Sequence, residues 1–214
     1  MFFMKSFKEM VAGYSRFRSG DWEEQRQRWE QLKDGQSPQV MVIACSDSRV
    51  DPAQIFDVDP GEIFVVRNVA ALVPPFETTP GRHGVSAALE FAVQFLKVRE
   101  VVVMGHGMCG GCKAALTQDL HGTKPGEGGF VAHWIDMLDS TRDPIAKTLG
   151  TTGREAERAM ELAAVKVSLA NLRTFPCVQE KEASGELDLR GAYFAISDGL
   201  LHLLDEDSGE FAPA

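Results

Sequence analysis

Three short apolar runs constrain the fold of this 214-residue chain more than any other feature. They are "QVMVIA" at 39–44, "EIFVVR" at 62–67 and "EVVVMG" at 100–105. Each run is rich in β-formers and apolar at successive positions, which is typical of a strand buried on both faces of a parallel sheet. Helix-like or irregular segments separate the runs, as crossover connections between parallel strands require. We therefore predict an α/β fold, with a mostly parallel central β-sheet flanked by helices.

Helical periodicity predicts the elements around this sheet. Apolar residues recur at three- and four-residue spacing over 3–17, and "DWEEQRQRWEQLKDG" at 21–35 predicts a second amphipathic helix that ends at its glycine. The segment 84–98 carries the small and apolar face of a packed crossover helix, and 154–175 predicts one long helix. Together these patterns surround the sheet with helices.

The sequence predicts a single domain. Residues 191–204 predict two strands that are joined by an Asp-Gly turn signal, and no internal repeat is visible. A chain of this length can fill one hydrophobic core. We expect a single domain over 1–214, with an N-terminal helical arm at 1–35 and an α/β core at 36–214.

The charge balance excludes two classes of partner. The chain has 31 Asp and Glu against 22 Lys and Arg, a formal net charge of −9, so it offers no basic surface for nucleic acid or an anionic membrane. No apolar stretch approaches a membrane span, and Lys5 and Lys8 interrupt the N-terminal apolar run. Four cysteines in such a chain do not form a disulfide framework. We expect a soluble cytoplasmic protein whose thiols serve a metal or catalysis.

Metal-binding residue types follow two of the predicted strands. Cys45 comes directly after the first run, and His106 follows the third run and begins "HGMCGGC", which includes Cys109. Ligand sites in open α/β sheets form at the carboxyl ends of strands. Zinc accepts thiolates and imidazole nitrogen, and two cysteines with one histidine leave its fourth position for water or a substrate. The glycines here, Gly110 among them, permit the turn and would let a substrate approach backbone amides.

Other interpretations of these residues exist. A lone cysteine at a strand end is most often a small core residue, which is our interpretation of Cys177. A dinucleotide-binding turn does not fit, because "GHGMCGG" lacks the Gly-x-Gly-x-x-Gly spacing. Cys112 could complete a closed structural zinc site, or "CGGC" could act as a dithiol switch. We expect that Cys112 is not a ligand, because a helix starting near Cys109 would carry it away from the metal.

The sequence resembles the β-class carbonic anhydrases. Their signature is Cys-x-Asp-x-Arg followed by His-x-x-Cys, found here as "CSDSR" (45–49) and "HGMC" (106–109). The stretches "PGEIFVVRNVAALVPP", "ALEFAVQFLKVREVVVMGHGMCGG" and "GREAERAMELAAVKVSLANLRTFPCV" extend the resemblance over nearly the whole chain. It implies that the first and third strands are neighbours and that N-terminal helices embrace a partner subunit. A homodimer or a dimer of dimers is the expected assembly.

The resemblance also implies the roles of the signature residues. Cys45, His106 and Cys109 match the ligands of one Zn²⁺ per chain. Asp47 and Arg49 match a catalytic dyad in which the guanidinium holds the carboxylate off the metal by a bidentate pair. An Asp-x-Arg motif that does not follow a metal ligand would be interpreted as a surface ion pair. The implied activity is the reversible hydration of carbon dioxide to bicarbonate and a proton by a zinc-bound hydroxide.

The expected substrate pocket matches the family pattern at some positions and differs from it at others. Gln36 resembles the glutamine whose amide holds bicarbonate, Phe64 resembles an aromatic wall, and Gly110 completes the substrate-binding set. In the family the first two come from the other subunit. Phe91 stands where tyrosine is usual, so one hydroxyl is missing. Val42 replaces the tryptophan of the branch that closes at low pH, so the sequence resembles the plant-like, open-site branch.

One alternative activity shares the same residues. Related enzymes use this ligand set to hydrolyse carbonyl sulfide or carbon disulfide, although nothing from 36 to 112 demands that substrate. The expected partner is therefore a small molecule, carbon dioxide or bicarbonate.

Overall fold

The computed structural model describes residues 5–214. The chain divides into two units, of which the first ends at Gln36 and the second runs from Ser37 to Ala214. The predicted boundary after residue 35 lies one position away, and the description of the chain as an arm and a core stays a prediction. Among residues 5–214, every helix falls short of the length or the apolarity that a membrane span needs.

The first unit contains three helices, α1 (Phe7–Ser19), α2 (Asp21–Glu24) and α3 (Arg26–Leu32). Ser6 begins α1 with a capping box, and residue 3 of the predicted pattern lies outside the described residues. The single helix predicted over 21–35 is wrong, because the backbone leaves the helical region at Gln25, where ψ is 18°. Arg18 holds the short α2 against α1, since its guanidinium lies 3.8 Å over the ring of Trp22.

The second unit is built on one six-stranded sheet with the order β2-β1-β3-β4-β5-β6. The strands β1 to β4 are parallel to one another. Strand β5 runs antiparallel to β4, and β6 runs antiparallel to β5. This confirms the mostly parallel sheet and the neighbouring first and third strands. The bounds are β1 (Val40–Cys45), β2 (Ile63–Asn68), β3 (Glu100–His106), β4 (Asp188–Ala195), β5 (Leu200–Asp205) and β6 (Glu210–Pro213).

Helices cover the sheet, and the predicted long helix is present as α9. The remaining helices include several short ones that periodicity did not predict. The bounds are α4 (Pro52–Ile55), α5 (Gly84–Glu90), α6 (Gly110–Thr117), α7 (Gly129–Ile135), α8 (Asp139–Leu149), α9 (Arg154–Leu172) and α10 (Pro176–Ser184). The predicted crossover helix over 84–98 is α5 followed by a π-helical turn at Phe91–Leu96.

Both faces of β1 are buried, which explains why its sequence is continuously apolar. Met41 and Ile43 pack in one cluster with side chains of α5 and α9, while Val42 and Ala44 pack in another with Met104 and Ala192. Cys45 joins a third cluster, which also holds the first turn of α6 and the N-terminal half of α9. Helices therefore enclose the carboxyl end of β1.

Candidate metal centre

Three soft donors meet at the carboxyl ends of two neighbouring strands. Cys45 is the last residue of β1, His106 is the last residue of β3, and Cys109 caps the N-terminus of α6. Their ligand atoms all lie within 4.8 Å of one another, and each residue is at most 6% exposed. Adjacent parallel strands end at the same edge of the sheet, so the pairing of β1 with β3 brings these residues together.

The orientation of His106 fits a metal ligand. Its Nδ1 lies 2.9 Å from the carbonyl oxygen of Gly107. A carbonyl only accepts, so Nδ1 must donate the proton and Nε2 carries the lone pair. That Nε2 atom is buried and has no hydrogen-bond partner among residues 5–214. A buried imidazole nitrogen without a partner, beside two thiols, is the donor set that zinc prefers.

The two thiols are strongly coupled. The neighbouring Cys109 thiol, followed by burial, raises the pKa of Cys45 to about 12. A hydrogen bond with Cys112, one turn along α6, raises the pKa of Cys109 to about 12 as well. Cys112 is itself buried but lies outside the three-residue group, and its exclusion as a ligand stays a prediction. Without a bound cation both thiols keep their protons, so a cation that binds here must displace these protons.

Asp47 and Arg49 form the bidentate pair expected from the sequence. Arg49 donates from Nε to Oδ1 at 2.9 Å and from Nη2 to Oδ2 at 2.7 Å, and its backbone N–H adds a bond to Oδ1 at 3.0 Å. This pairing holds the pKa of the Asp47 carboxyl well below its usual range. Arg49 Nη2 also donates to the carbonyl of Met108 at 3.0 Å, so one guanidinium joins the two ligand-bearing turns.

Arg67 on β2 also supports the Cys45 turn, a role that was not predicted from the sequence. Its guanidinium donates to the carbonyl oxygens of Cys45 and Asp47 at 2.9 and 2.6 Å, and to Asp51 at 2.9 Å. The available signal was a charged residue at the end of the otherwise apolar run "EIFVVR". A second missed residue is Glu161 on α9, whose Oε1 accepts the backbone N–H of Cys109 at 3.2 Å.

The expected pocket residues occupy several places. Phe64 on β2 and Phe91 at the start of the π turn have ring centroids 5.9 Å apart, and Phe91 stacks on Phe95 at 5.6 Å. Gly110 is the first residue of α6, next to Cys109. Gln36 is exposed at the end of the first unit. The substrate-binding roles of these residues stay predictions.

Comparison with known proteins agrees with the fold and the donor set. Residues 40–201 match the sequence model of the family described as "Carbonic anhydrase". The curated "Beta carbonic anhydrase 3" of Arabidopsis thaliana is 32% identical over 205 residues, which span 95% of this chain and 79% of that protein. The chain therefore belongs to the carbonic anhydrase family, within its β class.

Solved structures give the same result. The structure of the β-carbonic anhydrase CcaA superposes with a TM-score of 0.89 at 29% identity, covering 97% of this chain and 99% of that one. One of two tetrameric β-carbonic anhydrases from Sordaria macrospora gives a TM-score of 0.79 at 28% identity, covering 92% and 96%. The protein is thus a lyase of the carbonic anhydrase type. Enzymes of this class use zinc, and the group of Cys45, His106 and Cys109 can hold one ion.

Proposed function

We propose that this enzyme catalyses the reversible hydration of carbon dioxide to bicarbonate and a proton, at a zinc ion held by Cys45, His106 and Cys109. The observation that carries the proposal is a buried group of three soft donors beside a carboxylate that is already engaged by an arginine. Zinc in such a site would supply a Lewis acid that makes bound water a better nucleophile, although two thiolate donors acidify that water less than three neutral imidazoles do.

Asp47 is the hydrogen-bond acceptor that the chain itself provides for a reacting water. Its Oδ1 receives two hydrogen bonds from Arg49, whereas Oδ2 receives one. A carboxylate oxygen has two lone pairs, so Oδ2 can accept one more hydrogen bond from a reacting water. Because the guanidinium engages both oxygens, the carboxylate is kept from binding the metal. These contacts support the open-site form of the enzyme.

The aromatic side chains suit an apolar substrate. Phe64 and Phe91 present ring surfaces without a hydroxyl, and Phe91 is 44% exposed. We propose that they form the wall over which carbon dioxide enters, and that Gln36 of a partner subunit and Gly110 hold bicarbonate. The support is the positional match to the family pattern.

We propose that the enzyme works as a cytoplasmic homodimer or dimer of dimers. Helix α1 exposes Phe7, Met10, Val11 and Tyr14 at helical spacing, and Phe7 is 79% exposed. A stripe of this kind indicates a protein interface. The four cysteines are all free, which suits a reducing compartment. Sedimentation velocity on the purified protein and fractionation of cells that express it would test both points.

Metal analysis combined with rate measurements tests the activity. We expect one zinc per chain and rapid hydration of carbon dioxide in a stopped-flow assay. The same preparation would be offered carbonyl sulfide and carbon disulfide. Full zinc occupancy without hydration would contradict the proposal, and hydrolysis of a sulfur compound in its place would assign the alternative substrate.

A further inference from the structure

Glu161 is a charged residue on the buried face of α9. It is 2% exposed and lies between Met160 and the small buried residue Ala164, where an apolar side chain would be expected. Burying a carboxylate is costly unless hydrogen bonds and an opposite charge compensate for the lost water. The partners of Glu161 therefore show what holds this carboxylate in the core.

Four donor atoms surround the carboxylate. Arg154 donates from Nη1 to Oε1 at 2.8 Å and from Nη2 to Oε2 at 2.7 Å. The hydroxyl of Tyr193 donates to Oε2 at 2.8 Å, and the backbone N–H of Cys109 donates to Oε1 at 3.2 Å. Each oxygen thus receives two hydrogen bonds. Glu161 lies outside the group of soft donors, so its role differs from that of a ligand.

The turn that carries His106 and Cys109 packs directly against this network. A Cβ atom added to Gly107 would lie 3.1 Å from the Tyr193 hydroxyl and 3.4 Å from Arg154 Nη2. Met108 has a left-handed backbone conformation with φ of 56°, which is unfavourable for residues other than glycine. Such a conformation persists only where neighbouring contacts determine it. The Cys109 N–H bond to Glu161 is one of those contacts.

We propose that Glu161, fixed by Arg154 and Tyr193, is a positioning residue that sets the place of the Cys109 ligand. Its carboxylate holds the peptide N–H of Cys109 from the side of α9, and so fixes where the thiol points. This inference rests on the zinc site of the proposed function. It adds that metal affinity depends on a carboxylate that does not touch the metal.

The test shortens this side chain while keeping its charge. In Glu161→Asp the carboxylate withdraws from the Cys109 N–H, and the partly exposed Arg154 can follow it. Glu157→Asp is the matched control, because Glu157 lies one turn earlier on α9 and its carboxylate is 3.6 Å from both Arg154 Nη1 and Lys113 Nζ. Among residues 5–214, its ion pairs go to these two side chains and not to the turn 106–109. Circular dichroism and thermal unfolding would establish that each variant is folded.

Two readouts follow the metal site itself. Zinc affinity would be measured by competition with a chromophoric chelator, and Co²⁺ in place of zinc would report ligand geometry through its absorption bands. We expect Glu161→Asp to lose about 10- to 100-fold in zinc affinity and to shift the Co²⁺ bands, as other supporting residues of metal sites do. We expect Glu157→Asp to match wild type.

Each outcome decides the inference. A folded Glu161→Asp protein with wild-type zinc affinity and Co²⁺ spectrum would overturn it, and so would equal changes in Glu157→Asp. If Glu161→Asp does not fold, Tyr193→Phe takes its place, since it removes one donor to the carboxylate and leaves the ion pair intact. That variant should show a smaller loss of affinity with shifted bands, and wild-type behaviour would overturn the inference. Failure of wild type itself to bind zinc would refute the proposed function separately.

Discussion

The two turns that carry the soft donors are supported in different ways. The first turn, 45–49, is held by Arg49 and Arg67, whose side chains are 46% and 27% exposed. The second turn, 106–109, is held from behind by Glu161 and Tyr193, which are at most 2% exposed. Solvent therefore reaches both supports of the first turn, whereas in the network behind the second turn it reaches only Arg154, the partner of Glu161.

This difference matches the chemistry expected of each turn. The first turn carries the carboxylate that must exchange hydrogen bonds with water, so charged groups open to solvent suit it. The second turn contributes two donors whose placement must stay fixed, and a buried network resists displacement better than exposed ion pairs do. Arg49 joins the two turns through the Met108 carbonyl.

The largest effect should come from removing a donor that belongs to the first turn. We expect Cys45→Ala to lose more than about 100-fold in zinc affinity, a larger loss than that caused by a supporting residue. Cys112→Ala is the control, because this thiol is equally buried and lies three residues from Cys109. It should retain zinc and hydration activity. Zinc loss in the Cys112 variant, measured by elemental analysis, would show that a third thiol closes the site as the fourth ligand.

The pH dependence of zinc binding tests whether both turns contribute a thiolate. The pKa values of Cys45 and Cys109 are raised to about 12, so below that pH both thiols are protonated and protons compete with the metal. Raising the pH weakens this competition. The two thiols should increase the logarithm of the apparent association constant by up to about 2 per pH unit between pH 6 and pH 8. His106, whose burial opposes the charged form but whose pKa is raised by Cys45, should add up to about 1 per pH unit where it is still protonated. A chelator titration that gives a constant affinity over this interval would show that zinc does not displace two protons.

Asp47→Asn separates the reactive role of the first turn from its structural role. The amide keeps the shape of the side chain but loses the charge that accepts hydrogen bonds. We expect the rate of carbon dioxide hydration to fall by about 10- to 100-fold, while zinc affinity changes less. Stopped-flow rates on metal-saturated protein would measure the first effect, and chelator competition the second. Equal losses in the two quantities would mean that the carboxylate merely supports the metal site.

The smallest effect should come from replacing Arg67, which supports the first turn. Arg67→Met removes the donors to the carbonyls of Cys45 and Asp47, which should lower the free energy of unfolding by about 1–3 kcal/mol. Arg190→Met is the comparison, since its ion pairs on β4 are exposed and should contribute less than about 1 kcal/mol. Urea unfolding of the two variants would compare them. If the urea midpoints of the two variants are indistinguishable, Arg67 stabilises the protein no more than an exposed ion pair does.

The sequence was sufficient for features that depend on local pattern and residue type. The apolar run of β1 and the donor Cys45 behind it are adjacent in the chain, so both the strand and the metal ligand could be predicted. Gln25 shows the limit, because nothing in the residue pattern of 21–32 marks the backbone break between α2 and α3. β6 was missed because its four residues, 210–213, include a proline and form a strand only by pairing with β5.

The supporting residues were hidden for a different reason. Glu161 lies in a helix with many charged residues, and a glutamate there normally faces solvent. Its burial becomes evident only when α9 is placed against β3, where Arg154 and Tyr193 converge on it. Arg67 was equally ambiguous, since an arginine that ends a strand can face water or the neighbouring turn. Such roles arise from distances between elements, which one sequence does not contain.

The π turn at Phe91–Leu96 has a consequence for the shape of the aromatic wall. Such a turn accommodates one residue more than the α-helical repeat within an otherwise ordinary helix. Loss or gain of one residue here would rotate Phe91 and Phe95 relative to Phe64 while leaving β2 and β3 in register. Removing one residue from this segment is therefore a way to reshape the aromatic wall without changing β1, β3 or α6, which carry the three donors.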